Sequence, residues 1–251
     1  MSTEPARGGA GTAGAGSPLA SVVAALERAA TAGELTPSQL RWSLERLAGR
    51  AARKGGADGG ERRAEIVSAA KRVFRRDGYH HATIDAAAAE IGLTKAGVYH
   101  YFASKQEILE AICEGAIAAS EVVLDAALSG PGGPAERVRA AAAGYAELVL
   151  GDDGLLIFIR HFDELSELKR TQIRRRRKAI SARLRQVLVE GVAAGELEVP
   201  DPAIAVQSFF GSVNWIYSWY ERGGRLAPGE VRERLVEQIV NGVLARHSHR
   251  A

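Results

Sequence analysis

A chain of 251 residues with 46% hydrophobic and 25% charged residues has enough apolar material for one or two cores and lies outside the disordered range. One cysteine excludes a disulfide scaffold and any Cys-x-x-Cys site, no run reaches the ~20 apolar residues of a membrane span, and no secretory signal opens the chain, so a soluble cytoplasmic protein without a membrane partner is expected. Thirty-three Lys and Arg against 30 Asp and Glu give a net charge of +3, which leans toward a polyanionic partner and leaves the decision to charge placement.

Ala, Leu, Arg and Glu dominate, and runs of β-branched residues are few, so the expected class is all-α. Residues 1–17 are Gly, Ala, Ser and Thr and are expected to be disordered; Gly9, Gly11 and Gly14 spell a GxGxxG with no strand before it, a chance match. Ser17 and Pro18 open a short helix with Leu19, Val22, Val23 and Leu26 on one face, and Thr36, Pro37 and Gln39 open a second, with Leu40, Leu44 and Leu47. Residues 48–61 are Gly-rich with Arg50, Arg53 and Lys54, which reads as a flexible tether and, alternatively, as a minor-groove arm. Residues 1–61 are thus an N-terminal extension.

From residue 62 the periodicity sharpens. Ile66, Ala69, Ala70, Val73 and Phe74 predict a helix that stops at Asp77-Gly78. Thr83 caps a second helix over 84–90 with Ile84, Ala87, Ala88 and Ile91 on one face, Gly92 closes it, and Thr94 caps a third over 95–101. Ser104 with Glu107 is a capping box for a fourth helix bearing Ile108, Ile112 and Ala116. Five more helices are predicted at 134–150, 154–165, 167–194, 202–222 and 228–246, with Pro134, Pro202 and Pro228 in first turns; nine helices follow the leader.

The second and third helices with their tight turn have the dimensions of a helix-turn-helix. Val98, Tyr101 and Phe102, at i, i+3 and i+4, bury one face of the third helix together with Leu93, which leaves Lys95, Ala96, Tyr99 and His100 facing outward, a surface suited to a phosphate-lined groove. The stretch FRRDGYHHATIDAAAAEIGLTKAGVYHYFASKQEIL, Phe74 to Leu109, resembles the TetR family of bacterial transcriptional regulators. The resemblance implies that Thr83 meets a phosphate, Thr94 caps the recognition helix, Lys95 and Ala96 face base edges, Tyr99 and His100 meet backbone or base, and Lys105 pins the flanking phosphate. Ala96-Gly97 stands where Gly-Thr or Gly-Ser is frequent in the family, so one hydroxyl contact is missing. Residues 61–110 carry eight cations and seven anions, so the argument rests on the face and not on bulk charge.

The resemblance also divides the chain into a head, 62–108, and a ligand-binding and dimerisation body, 109–251. The predicted 202–222 helix carries Ile204, Val206, Phe209, Phe210, Val213, Trp215, Ile216, Tyr217, Trp219 and Tyr220 on every face, which demands burial all round and predicts a helix shared between a pocket and a subunit interface. The last helix adds the stripe Val231, Leu235, Ile239, Val240 and Val243, and by resemblance the two final helices pair with their copies in a homodimer whose heads read a near-palindromic double-stranded operator. Between Arg160 and Arg185 ten cations face only Asp163, Glu164 and Glu167, either a solvated face or a site for an anionic effector. The wording GSVNWIYSWYERGGRLAPG, Gly211 to Gly229, is similar to the TetR subgroup that senses acyl-CoA or sterol-derived CoA thioesters. This implies that Asn214, Trp215 and Trp219 line or border a pocket, Phe158 and Phe162 form its apolar end, and Arg174 and Arg177 meet the CoA phosphates.

The expected function is a repressor released from its operator by a small-molecule effector. The alternatives are a regulator of an efflux pump sensing a drug-like ligand, a non-specific architectural DNA-binding protein and, distantly, a helical enzyme acting on a CoA ester. No GxSxG, HExxH or P-loop is present, and His80, His81, His161, His247 and His249 have no carboxylate or thiol partner by spacing, so no catalysis, cofactor or metal site is expected.

Overall fold

The computed structural model describes residues 57–243, apart from 152 and 222; the expected leader helices, the Gly9-Gly11-Gly14 match, the Arg50-Arg53-Lys54 segment and His247 and His249 lie outside them. The described chain is helical throughout, without strands: α1 Ala57–Asp77, α2 Ile84–Ala89, α3 Lys95–Tyr99, α4 Lys105–Leu128, α5 Pro134–Gly151, α6 Asp153–His161, a 3₁₀ turn Phe162–Glu164, α7 Glu167–Ala193, α8 Pro202–Asn214, α9 Ile216–Trp219 and α10 Pro228–Asn241. α1 begins inside the stretch expected to be a flexible tether. A helix nucleated by the buried Ile66-Val73 stripe propagates cheaply into neighbouring residues, even through Gly59 and Gly60.

The head is α1 to α3 closed by the start of α4, around Ile66, Val73, Phe74, Ile84, Val98 and Phe102, all buried. Between α2 and α3 the chain turns at Gly92, whose φ of +65° is open to glycine at little cost, and the Leu93 amide donates back to the Ala88 carbonyl at 2.9 Å. Replacing Gly92 by alanine is expected to cost about 1 kcal/mol of stability, seen as a lower denaturant midpoint with an unchanged m-value.

α4, 24 residues and so about 36 Å long, runs from the head into the body. There α5 is the hub, packing on α4, α7, α8 and α10. A Cβ at Gly144 would stand 2.6 Å from Val123 Cγ1, so α5 approaches α4 as closely as it does only because that position lacks a side chain. α10 is anchored to α5 by Arg232, whose guanidinium lies 3.2 Å from the Glu147 carboxylate in a mostly buried pair.

The expected 202–222 helix is present in two pieces. The Trp215 carbonyl is taken by both the amide, at 3.0 Å, and the hydroxyl, at 2.7 Å, of Ser218, a local bond that competes with the i to i+4 ladder. α9 then ends at Trp219, where Tyr220 turns extended. The demand for burial all round is not met within one chain: Ile204, Trp215 and Trp219 remain 65%, 61% and 49% exposed.

Candidate nucleic-acid interface and effector pocket

The two threonines expected at the DNA face are the caps of their helices. Thr83 Oγ accepts the Ala86 amide and Thr94 Oγ the Gly97 amide, both at 3.1 Å, so each hydroxyl keeps its own proton for donation to a phosphate. Val98 and Phe102 are buried and Tyr101 and Leu93 partly so, and this pins α3 with Lys95, Ala96, Tyr99 and His100 outward, all exposed. His100 is the C-cap of α3, its ring edge-on to Tyr101 at 5.1 Å. At Gly97 a Cβ would find only ordinary contacts, the nearest being Thr94 Oγ at 3.5 Å, so the residue frequent there in the family is left out for no steric reason.

Lys95 is not a free cation. Its ammonium lies 2.9 Å from Asp85 in the first turn of α2, and this carboxylate raises the lysine's proton affinity; both side chains are more than half exposed. Asp85→Asn removes a negative charge from the DNA-facing side and releases Lys95. Operator affinity is expected to rise about fivefold, with a steeper dependence on salt, as measured by fluorescence anisotropy at two ionic strengths.

Lys105 departs most from its expected role. Its ammonium donates to the carbonyls of Tyr79 at 2.8 Å, Ala82 at 3.0 Å and His80 at 3.1 Å, and lies 4.7 Å from the centre of the Tyr79 ring. All three N–H donors are thus spent on the loop between α1 and α2, and a direct phosphate contact would have to break one of them. The residue staples the α1–α2 corner that orients the recognition helix. Beside it Ser104 Oγ accepts the Glu107 amide at 3.1 Å, while Glu107 takes the Ala103 amide at 2.7 Å and lies 3.4 Å from Arg63. Arg63 in turn covers the Phe102 ring at 3.8 Å.

In the body a cavity of about 190 Å³ is enclosed by α4, α5, α6, α7 and α8. Ile117, Leu124, Phe158, Ile180 and Phe210 form its apolar wall, and Arg174, Arg177 and Lys178 stand at its mouth. Four expected residues meet here: Phe158, Arg174, Arg177 and Asn214. Phe162 stands one layer back, edge-on to Phe158 with ring centres 5.7 Å apart and 5.5 Å from the Arg174 guanidinium. Trp215 and Trp219, expected to line or border the pocket, do not reach it; both lie on the outer face with Ile204 and Gly211 and are exposed, Trp215 against Tyr217 at 5.8 Å. Tyr145 was missed, because an aromatic on an apolar helix stripe reads as core. Its hydroxyl donates to Asn214 Oδ1 at 2.8 Å, and burial pushes its pKa up to about 12, so it stays a neutral donor at physiological pH.

The basic run is divided by acids of α4. Arg176 makes a bidentate pair with Glu121 at 2.6 and 2.7 Å, Lys169 pairs with Glu114 at 2.9 Å and Arg183 with Asp125. Arg177 and Lys178, at the cavity mouth, have no carboxylate partner among the described residues, and Arg174 has only a 3.7 Å contact with Glu167. Spacing along α7 separates the two groups: one face meets α4, the other opens on the cavity.

A second void, about 490 Å³, lies where the head meets the body, between Phe74 and Arg75 of α1, Leu156 and Arg160 of α6, and Ile216 and Tyr220. Also at this joint, His80 Nε2 lies 3.0 Å from a Glu164 carboxylate oxygen, with His161 beside them, which overturns the reading that these histidines lack an acidic partner. More than 80 residues separate His80 from His161 and Glu164 in sequence, and no local signal could have joined it to them. Cys113 is buried in the core, where burial pushes its thiol up to about 12, an unreactive position.

A helix-turn-helix head, rigidly capped and presenting one polar face, joined by a long helix to a body with its own cavity, defines a DNA-binding regulator. Residues 66–112 match the family described as bacterial regulatory proteins, tetR family, and residues 131–243 match the tetracyclin repressor-like C-terminal domain. A crystal structure of a TetR/AcrR-family transcriptional regulator from Thermobifida fusca YX-ER1 is 33% identical, with a TM-score of 0.62 over 72% of this chain and 98% of that one. AibR, in a crystal structure with isovaleryl coenzyme A and operator DNA, is 27% identical, with a TM-score of 0.64 over 70% of this chain and 97% of that one. The fatty acid metabolism regulator protein of Bacillus subtilis strain 168 is 23% identical over 182 residues, 71% of this chain and 94% of that protein. The chain belongs to the TetR family of transcriptional regulators, whose members bind operator DNA, dimerise and bind small-molecule ligands.

Proposed function

We propose that this regulator is a homodimeric repressor whose heads, residues 62–108, grip a near-palindromic operator through Thr83, Thr94, Lys95, Ala96, Tyr99 and His100, and whose bodies, residues 109–251, release it on binding a CoA thioester with a short acyl chain. The observation that carries the effector class is the pairing of an apolar cavity with Arg174, Arg177 and Lys178 at its mouth. At about 190 Å³ the cavity is smaller than the roughly 300 Å³ at which pockets for drug-sized molecules begin. A short acyl chain fits within such a volume while the nucleotide phosphates stay outside against the arginines, which favours a short-chain thioester over the sterol-thioester and efflux-pump readings. The kinship with AibR, whose structure holds isovaleryl coenzyme A and operator DNA, and with the fatty acid metabolism regulator agrees with this choice. Asn214, whose Oδ1 takes the Tyr145 hydroxyl, keeps its Nδ2 amide as the donor that a thioester carbonyl needs.

Repression and release follow from linkage: a tenfold drop in operator affinity needs an effector that binds the released state better by about 1.4 kcal/mol. The test is an anisotropy titration on DNA from upstream of the protein's own gene, with isovaleryl-CoA, free CoA and a hydrophobic dye as competing effectors. Release by isovaleryl-CoA alone is expected; release by the dye alone would move the reading to a drug-like ligand. In the double variant Arg177→Glu and Lys178→Glu, the isovaleryl-CoA concentration for half release is expected to rise at least about 30-fold, because each reversal replaces a charge-assisted phosphate contact by repulsion. Operator affinity without effector should stay within about twofold, since both side chains lie in the body.

A further inference from the structure

We infer that His80, His161 and Glu164 form a binding site for one divalent transition-metal ion of the zinc type, at the joint between head and body. Each residue offers one ligand atom, and these atoms all lie within 4.8 Å of one another, with His80 Nε2 and a Glu164 oxygen already 3.0 Å apart. Tetrahedral bonds of about 2.0 Å hold their ligand atoms roughly 3.3 Å apart, so separations of at most 4.8 Å have to close by no more than about 1.5 Å to complete the triangle. Two imidazoles and a carboxylate suit Zn²⁺, Co²⁺ or Ni²⁺; Mg²⁺ and Ca²⁺ prefer oxygen ligands alone.

The backbone at two of the ligands, His80 and Glu164, is already tied down. The His80 carbonyl accepts from Lys105, the Glu164 carbonyl accepts from the Gln106 side chain at 3.3 Å, and these two donors are neighbours in the first turn of α4. The Tyr79 ring packs against both imidazoles, at 5.5 Å from His80 and 5.4 Å from His161, and limits how far either can swing. Nearby cations are occupied elsewhere: Lys105 by its three carbonyls and Arg160 by the Tyr217 carbonyl at 3.3 Å and ring at 5.5 Å. Glu110, the neighbouring acid, accepts the Ser166 amide at 3.2 Å. His80 is 66% and Glu164 39% exposed in the side chain, so the remaining coordination positions open to water.

The ion has a mechanical consequence. His80 belongs to the α1–α2 loop of the head, while His161 and Glu164 end α6 and form the 3₁₀ turn of the body. A bound metal therefore clamps the loop that Lys105 staples and restrains head against body.

The experiment uses the full-length chain after treatment with a chelator. Calorimetric titration with Zn²⁺ is expected to give one ion per chain and a raised thermal midpoint, and Co²⁺ to give the visible d–d bands of a low-coordinate site. His80→Ala, His161→Ala and Glu164→Gln should each weaken Zn²⁺ binding at least about tenfold while leaving the metal-free thermal midpoint nearly unchanged, which separates loss of a ligand from misfolding. His81→Ala and the pair His247→Ala and His249→Ala should change nothing. Absence of uptake, or uptake lost with His81 or the tail histidines and not with His161 and Glu164, would overturn the site.

Discussion

Lys105→Met is expected to lower operator affinity at least tenfold and to lower the thermal midpoint by about 5 °C. The methylene stem is kept, so packing against Tyr79 survives, while the three carbonyls of Tyr79, His80 and Ala82 lose their common donor. A hydrogen bond to a charged group is worth about 1.5–3 kcal/mol; because part of this loop can rehydrate and the three bonds share one ammonium, the net loss is about 2 kcal/mol, which for a chain of this size corresponds to that shift in midpoint. The two readouts separate two roles. A residue that only met a phosphate would change the salt dependence of binding and leave the midpoint alone. A residue that orients the α1–α2 corner changes both, and Lys105→Arg should recover only part of the loss, since a planar guanidinium cannot converge three donors on three carbonyls as an ammonium does. An unchanged midpoint together with weakened binding would return Lys105 to the phosphate role.

The double replacement Trp215→Glu and Trp219→Glu is expected to convert a dimer into monomers, read by light scattering after gel filtration, and to weaken operator binding by about 100-fold or more as the second head loses its tether. These two side chains sit at the α8–α9 break, 61% and 49% exposed, with Ile204 at 65% on α8. A tryptophan presents 150–250 Å² of mostly apolar surface, so each leaves on the order of 100 Å² in water. At about 25 cal/mol per Å², covering the four tryptophans of two subunits contributes roughly 10 kcal/mol before the entropy of association is subtracted. An exposed apolar group of this size on a transcription regulator whose family dimerises is the natural contact with a second copy. Persistence of the dimer would place the subunit contact elsewhere, on the exposed Val189 and Val192 of α7 or on α10.

Much of the head was legible because its information is local. A cap at Thr83, a break at Gly92, a cap at Thr94 and apolar residues at Val98, Tyr101 and Phe102 fix the lengths, the turn and the outward face by spacing alone, and the outward exposure of Lys95, Ala96, Tyr99 and His100 follows from the burial of their opposites. The cavity was legible in part. Arg174 and Arg177, three apart on α7, share a face by helical geometry, and Arg176 falls on another with Lys169 and Arg183, but spacing does not say which face meets the acids of α4 and which opens on the cavity. Tyr145 was invisible as a pocket residue because its partner Asn214 is 69 positions away. Trp215 and Trp219 fall on the outer face of this segment, the face of Ile204 and Gly211, while Val206, Phe209, Val213 and Ile216 take the inner one; composition that is apolar all round does not say which face turns to the pocket.

The sequence alone determined the helices, their caps and the polar face of α3, because backbone propensity, capping and periodicity act over a turn or two. Only the tertiary structure decided what the charged and aromatic side chains do: Lys105 holds carbonyls, Asp85 holds Lys95, the α7 cations divide between acids and cavity, and His80 meets Glu164 and His161. Such side chains are long and take whichever partner packing brings within about 3 Å, so their roles depend on distances between segments that spacing along the chain does not encode.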